Sequence, residues 1–297
     1  MQGYHPEAGI LWRFVATSVL FIACVLVGYA IYRQWPTDYI TVAILNVGKG
    51  TALYIESPTH RRFLIDGGLD HTILGQLRKL VPFYTRSLDG VILTSAHDQS
   101  IGGLIDIARA YKIRVVLEGA TTSTTLYNQF SQELVHRAVL TIPAVIGDTV
   151  YLGGGAHLAV VYSAIQGAHD NASKDTVSRV MLKLTFGSST VLVTAGEPAP
   201  FEDYVLAKDG TSSLAADILT TFYDSAQNTP SDNFLHAVHP RWLIVSTGSK
   251  KATEIPALSS TKNYTVLTTA QYGAIIFHCS KQSCVLVSPP VEKNYLH

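Results

Sequence analysis

A short apolar strand, Gly90-Val91-Ile92-Leu93, runs without a break into Thr94-Ser95-Ala96-His97-Asp98-Gln99-Ser100, then a small-residue turn at Ile101-Gly102-Gly103 and an amphipathic segment. Ligand-type side chains gathered where a strand ends restrict the chain to folds that build a site at the carboxyl ends of strands. Three more strand ends have this character: Asp66 after Arg62–Ile65, the Thr194–Glu197 loop after Thr190–Thr194, and the Phe222–Ala226 loop after Ala216–Thr221. Four polar strand ends line up as places for site residues.

The segments between them alternate hairpins with β-α units. The strands Tyr39–Leu45 and Ala52–Glu56 flank Asn46-Val47-Gly48-Lys49-Gly50-Thr51. Helices are predicted near His71–Leu80, Gly103–Tyr111 and Ser123–Arg137, with a strand at Arg114–Leu117. A second half starts near Gly147-Asp148, turns at Gly153-Gly154-Gly155, and pairs Arg179–Phe186 with Thr190–Thr194 through Gly187-Ser188-Ser189. Helices near Phe201–Lys208 and from Pro230 lead into Trp242–Ser246 and a closing hairpin. The pattern predicts an α/β (α+β) chain with two mixed sheets back to back and helices outside. It forms one domain over residues 40–290, ahead of a tail at 291–297.

The 22 basic and 22 acidic residues cancel, so net charge supplies no argument for nucleic-acid binding. The chain is 47% hydrophobic and 15% charged, and part of that apolar excess sits at the start. From Phe14 to Tyr32 no residue is charged, Arg13 and Arg33 bracket the run, and Trp12, Tyr29, Tyr32 and Trp35 lie near its ends. Such a run just spans a hydrocarbon core roughly 30 Å thick. The reading is a 1–13 tail, a transmembrane anchor at 14–32 and a linker at 33–39. A cleaved signal peptide ending at Gly28-Tyr29-Ala30 is the rival, while a buried soluble helix is disfavoured by Pro36 and the lack of any polar face. Cys279 and Cys284 bracket Ser280-Lys281-Gln282-Ser283 as the closing pair of a hairpin. A disulfide there would favour an extracytoplasmic domain on a single-pass cell-membrane anchor; two free thiols are the alternative.

Several ungapped stretches resemble one family. Asn46-Val47-Gly48-Lys49-Gly50-Thr51, Leu64-Ile65-Asp66-Gly67-Gly68, Ile146–Gly155 and the run from Phe234-Leu235-His236-Ala237-Val238-His239-Pro240 to Ser246-Thr247-Gly248 look, in this order, like the metallo-β-lactamase superfamily. Within it they are most similar to the C-terminal domain of ComEC-type competence proteins. The resemblance covers roughly Thr41 to Ser288. It implies a metallo-β-lactamase-like αββα sandwich behind the N-terminal transmembrane helix, and a place beside a channel for DNA uptake.

The family's metal motifs are degenerate here. In its histidine-rich motif the first His position is Ser95, the second keeps His97, the Asp position is Gln99 and the last His is Ser100. Asp98 is offset by one. The position of the bridging carboxylate falls on Gly196 with Glu197 one residue late, and the paired histidines of a later motif fall on Tyr223 and Asp224. A catalytic zinc needs about three protein ligands and an open position, and a metal pair about twice that. The resemblance therefore implies a non-catalytic shell without a cofactor, an accessory or scaffold for competence proteins. Two rivals stand beside it. One is a hydrolase or nuclease rebuilt around His97, Glu197, Asp224 and Asp66, holding a single Mn, Mg or Zn ion, with carboxylate-rich ligation suiting Mn or Mg. The other is a small-molecule binding protein using a vacated cleft of Ser95, Gln99, Phe222 and Tyr223. The remaining signals are bland: Asp66 can cap local amides; His60, Arg61 and Arg62 form a basic tip of the solvated kind, as do Lys250 and Lys251; His169, His236 and His239 fit no ligand spacing. No nucleophile elbow is present.

Overall fold

The structure, a computed structural model, describes residues 6–82, 84–119, 124–163, 179–194, 199–209, 214–223, 229–248 and 264–288. It divides into two units, residues 1–37 and 38–297. The first is a helix, α1 (Pro6–Gln34). It starts inside the segment expected as a tail, because Pro is favoured in a first helical turn and nothing after it breaks the helix. Four successive side chains, Val19 to Ile22, are all exposed. Side chains are described for only part of α1, and among the described residues no helix is long and apolar enough to cross a membrane.

The second unit begins with β1 (Ile40–Ile44), β2 (Leu53–Glu56), β3 (Arg62–Ile65), α2 (Thr72–Leu80), β4 (Ser87–Leu88), β5 (Gly90–Leu93) and α3 (Asp98–Ala110). It continues with β6 (Lys112–Ile113), β7 (Val115–Glu118), α4 (Thr125–His136), β8 (Leu140–Pro143), β9 (Thr149–Gly153), β10 (Ala156–Ser163), β11 (Val180–Phe186) and β12 (Ser189–Val193). The last elements are α5 (Ala199–Asp209), β13 (Ile218–Phe222), α6 (Asp232–Val238), β14 (Trp242–Ser246), β15 (Thr265–Thr268), α7 (Thr269–Tyr272), β16 (Ile275–Cys279) and β17 (Cys284–Ser288). One sheet has the order β17-β16-β1-β2-β3-β5-β7-β8 and the other β15-β14-β13-β12-β11-β10-β9. In both, an antiparallel run gives way to parallel strands: from β3 through β5 and β7 to β8, and from β12 through β13 and β14 to β15.

Alternation along the strands produces three apolar layers. Ile44, Ile65 and Ile92 face Leu182, Val191, Ile218 and Ile244 between the sheets. Ala43, Leu64, Val91 and Val116 pack outward against Ile73 and Leu77 of α2, Leu104 of α3 and Phe130 of α4. Leu192, Leu219 and Leu243 do the same against Val205 of α5 and Phe234 and Leu235 of α6. The central strands β5 and β13 are buried on both faces, and β5 reads as an unbroken apolar run, while β13 carries Thr220 and Thr221 ahead of Phe222. The layer order is helix, sheet, sheet, helix.

The two halves share a brace. Ahead of β5, the Asp89 amide donates to the Arg62 carbonyl (2.8 Å) while its carboxylate accepts from the Arg62 amide (3.0 Å). Ahead of β13, the Asp217 amide donates to the Thr190 carbonyl (3.1 Å) and its carboxylate accepts from the Thr190 amide (2.8 Å). At the same end of the sandwich Cys279 and Cys284 are register partners joined by a disulfide. The turn they close accepts hydrogen bonds from Ser188 of the β11–β12 hairpin, at the Lys281 and Gln282 carbonyls.

Two expectations change. Helix α3 starts at Asp98, five residues before the expected position, because Gly102 and Gly103 lie inside the helix rather than in a turn. A Cβ on Gly102 would stand 1.8 Å from the Leu69 carbonyl oxygen, and one on Gly103 2.1 Å from that of Gly67. The glycines let the helix rest directly on the backbone after β3. The strands β8 and β15 were not legible, since both are short sheet edges; all four β8 residues are exposed and leave no burial pattern.

Gly103→Ala should therefore lower the chemical-denaturation midpoint by the equivalent of roughly 1–3 kcal/mol or more, with a matched Gly75→Ala in α2, where a Cβ meets nothing within 4 Å, acting as control. A second outcome concerns His278, stacked on Tyr39 with ring centroids 4.1 Å apart. Burial holds its imidazole below the usual 6.5, so below that pH the unfolded chain takes up more protons than the folded one. Its contribution to stability is present above about pH 6.5 and is lost as the pH falls. Urea midpoints for His278→Gln should show a shallower acid-side decline than the parent.

Candidate functional site

The parallel strands of both halves run toward one end of the sandwich, so their carboxyl ends converge. There Ile44, Leu53, Ile65 and Val193 floor a cavity walled by Thr51, Asp66, Thr194, Thr220, Thr221 and Ser246. Its volume is about 10 Å³, room for about one water molecule. Every wall group but one is a hydroxyl.

The exception, Asp66, is 2% exposed and holds a left-handed backbone at φ 58°, which a short polar side chain tolerates. Oδ1 accepts from the Thr94 amide (2.8 Å), and Oδ2 accepts from the Thr51 hydroxyl (2.7 Å) and the Thr94 hydroxyl (2.5 Å). The backbone around it is equally committed. Asp66 N donates to Ile92 O, Gly67 N to Ser100 O and Gly68 N to Thr51 O. Asp66 thus ties the loop after β1, the end of β3 and the end of β5 into one piece.

The residues of the histidine-rich motif lie around that knot. Ser95 is buried, and its hydroxyl accepts from the His97 amide (3.2 Å). A bridge joins Ser95 to Arg179, and the Thr94 carbonyl accepts from the Val180 amide (2.7 Å). His97 precedes α3 as an exposed residue whose side chain does not cap the helix, while its carbonyl accepts from the Ser100 and Ile101 amides. Asp98, offset in the motif, is the exposed first residue of α3. Gln99 is half-buried and Ser100 buried. Gly50 passes so near α3 that a Cβ on it would stand 2.1 Å from the Gln99 carbonyl oxygen.

In the second half Thr194 ends β12 as Asp66 ends β3, and its hydroxyl donates to the Thr220 carbonyl (3.1 Å). Phe222 is buried and Tyr223 half-buried, with the Tyr223 amide donating to the Ser246 carbonyl (2.9 Å). Gly196, Glu197 and Asp224 lie outside the described residues, as do His169, Lys250 and Lys251. His236 sits in α6 and His239 at its end, away from this cavity. The His60–Arg62 tip is tied back to Glu56, by His60 Nδ1 at 3.2 Å and Arg62 Nη2 at 3.5 Å.

Two features escaped the sequence reading. Thr220, Thr221 and Ser246 of the cavity wall carry no site signal in the sequence, although each is a polar residue at or near the end of an apolar strand. Glu118, at the end of β7, accepts from the Tyr127 phenol (3.0 Å). Burial holds its carboxyl above the usual carboxylate range despite that bond, and burial together with the Glu118 charge pushes the phenol up. A lone glutamate after three apolar residues carries no signal of such a pair.

Among the described residues the donor set does not make up the ligands of a zinc pair. Asp66 offers both carboxylate oxygens to internal donors, and the positions around it supply hydroxyls, which bind divalent cations weakly without carboxylate or imidazole partners. Among the described residues no three His, Cys, Asp or Glu side chains gather into a metal-binding group. None of Ser95, Gln99, Phe222 and Tyr223, the residues of the small-molecule reading, lines this cavity.

Asp66→Ala should cost on the order of 3 kcal/mol, since it strands buried donors of Thr51 and Thr94. Asp66→Asn keeps the turn and one acceptor and should cost less. Thermal and urea unfolding of both variants would check the order, and equal losses would refute this account of the carboxylate.

No family model matches the sequence. The chain is similar to ComE operon protein 3 of Bacillus subtilis (strain 168), 22% identical over 331 residues that cover 98% of this chain and 42% of that protein. It therefore spans less than half the length of that relative. Among solved structures it is similar to the metallo-β-lactamase fold protein YhfI from Bacillus subtilis, with a TM-score of 0.54 and 14% identity over 77% of this chain and 96% of the other. A long form RNase Z from yeast gives a TM-score of 0.49 and 10% identity over 83% of this chain and 42% of the other. At these identities structural likeness speaks for the fold. The chain has the metallo-β-lactamase fold, and its sequence resembles the ComEC-type proteins.

Proposed function

We propose that this chain is a membrane-anchored, non-catalytic metallo-β-lactamase-fold protein, acting outside the cytoplasm as an accessory or scaffold for DNA uptake at the cell envelope. The observation that carries the reading is the three hydrogen bonds that the Asp66 carboxylate accepts from Thr51 and Thr94. At the strand ends where the fold gathers metal ligands, this chain gathers hydroxyl groups around one satisfied carboxylate. A shell of this kind keeps its shape through strand packing and hydrogen bonds, so losing ligands does not cost it the fold.

The anchor reading is supported by the uncharged sequence from Phe14 to Tyr32 and by the four successive exposed apolar side chains Val19 to Ile22 within α1. The Cys279–Cys284 bridge supports an oxidising compartment, where a hairpin disulfide persists. The link to DNA uptake rests on the likeness to ComE operon protein 3 and on the family motifs in the sequence.

The test uses the full-length chain from membranes. It should resist alkaline carbonate extraction, carry well under one metal ion per chain, and show no metal-stimulated nuclease or phosphodiesterase activity. Complete extraction by carbonate would overturn the anchor. One bound Mn or Zn per chain, lost in His97→Ala with Glu197→Ala, would overturn the non-catalytic reading in favour of a rebuilt hydrolase.

A further inference from the structure

Charge is divided between the two ends of the first half-sandwich. From Asp38 to Leu140 the sequence has ten Lys and Arg residues and nine Asp and Glu. All the cations but Lys49 lie at the starts of the parallel strands or the carboxyl ends of the helices. Five of the acids, Asp38, Glu56, Asp89, Asp106 and Glu133, share that end, and the other four lie with Lys49 at the cavity end. An excess of four positive charges thus faces one way and three negative charges the other. The helix dipole accounts for cations in last helical turns. It does not account for Arg61, Arg86, Lys112 and Arg114, which are exposed ahead of β3, β4, β6 and β7.

These groups are close together. The Lys112 amide donates to the Arg86 carbonyl (2.9 Å), the Arg114 amide to the Leu88 carbonyl (3.1 Å) and the Asp89 amide to the Arg62 carbonyl (2.8 Å). The Arg61 guanidinium reaches the Tyr151 carbonyl at 3.5 Å. Two tyrosines stand among them, Tyr84 at 63% and Tyr151 at 74% exposure. Cations interleaved with exposed tyrosines are the composition of a bilayer's polar interface. The chain also enters the domain at this end. β1 runs parallel to β3, being antiparallel to β2, and Ile40 pairs with Cys279 beside the disulfide turn.

We propose that the strand-start end of the sandwich, centred on Arg61, Arg86 and Lys112, is a seat for an anionic lipid surface, binding headgroup phosphates through these cations. The inference rests on the reading of α1 as an anchor, which supplies the lipid surface.

The test is sedimentation of residues 38–297 with vesicles. This piece holds all three apolar layers, none of which includes a residue before Ile40. It should bind vesicles of phosphatidylcholine mixed with phosphatidylglycerol, bind less as salt rises, and ignore phosphatidylcholine alone. Each of Arg61→Gln, Arg86→Gln and Lys112→Gln should weaken binding about fivefold, and the three together on the order of a hundredfold. A charge-conserving Arg61→Lys and Arg86→Lys variant should bind like the parent. Equal binding to neutral vesicles, an unaffected triple variant, or tighter binding to a single-stranded DNA oligonucleotide than to vesicles would overturn the proposal. Because α1 is absent from this piece, such a failure leaves the anchor standing, and carbonate extraction of the full chain leaves this result unchanged.

Discussion

One buried carboxylate holds the functional end of this molecule together. Asp66 collects an amide and two hydroxyls from separate loops, and its own turn brings Gly67 and Gly68 into backbone bonds with the start of α3 and the loop after β1. Burying a charge without such partners would be prohibitive. The surrounding sequence is therefore constrained as a set: a threonine after β5, a threonine before β2, and glycines where helix and loop touch. The groups on the described strand ends serve hydrogen bonding.

Much of this was legible beforehand. Apolar runs marked nearly every central strand, because strands buried on both faces need mostly apolar side chains. The Leu64–Gly68 and Ile101–Leu104 stretches identified the fold end correctly, although Gly102 and Gly103 serve close packing within a helix rather than a turn. Edge strands such as β8 were hidden, since an exposed four-residue edge is under little compositional pressure. The hydroxyl wall was hidden for another reason. Thr194, Thr220, Thr221 and Ser246 are ordinary strand-end residues one at a time, and only the convergence of both sheets makes them a lining. The Asp89 and Asp217 braces show the same limit, since their equivalence is a relation in space.

The two halves are built alike and differ at corresponding points. Both carry the aspartate brace at the strand start, and at the strand end one has Asp66 where the other has Thr194. A charge facing a charge in so small a cavity would require a cation to balance it. A charge facing a hydroxyl does not. Replacement on one side thus relaxes the demand on the other, which explains how such an end can stay compact.

The place of β1 has a mechanical meaning. The chain joins the domain through a central strand, hydrogen-bonded to β16 on one side and β2 on the other. A pull transmitted from before Ile40 acts along that strand and loads both ladders in shear, so their bonds resist together instead of peeling one at a time. The neighbouring β16 is stapled to β17 beside the point of loading. A tether attached to an edge strand would unzip the sheet under far smaller forces; attached here, the domain can bear tension through its first residues and keep its core closed.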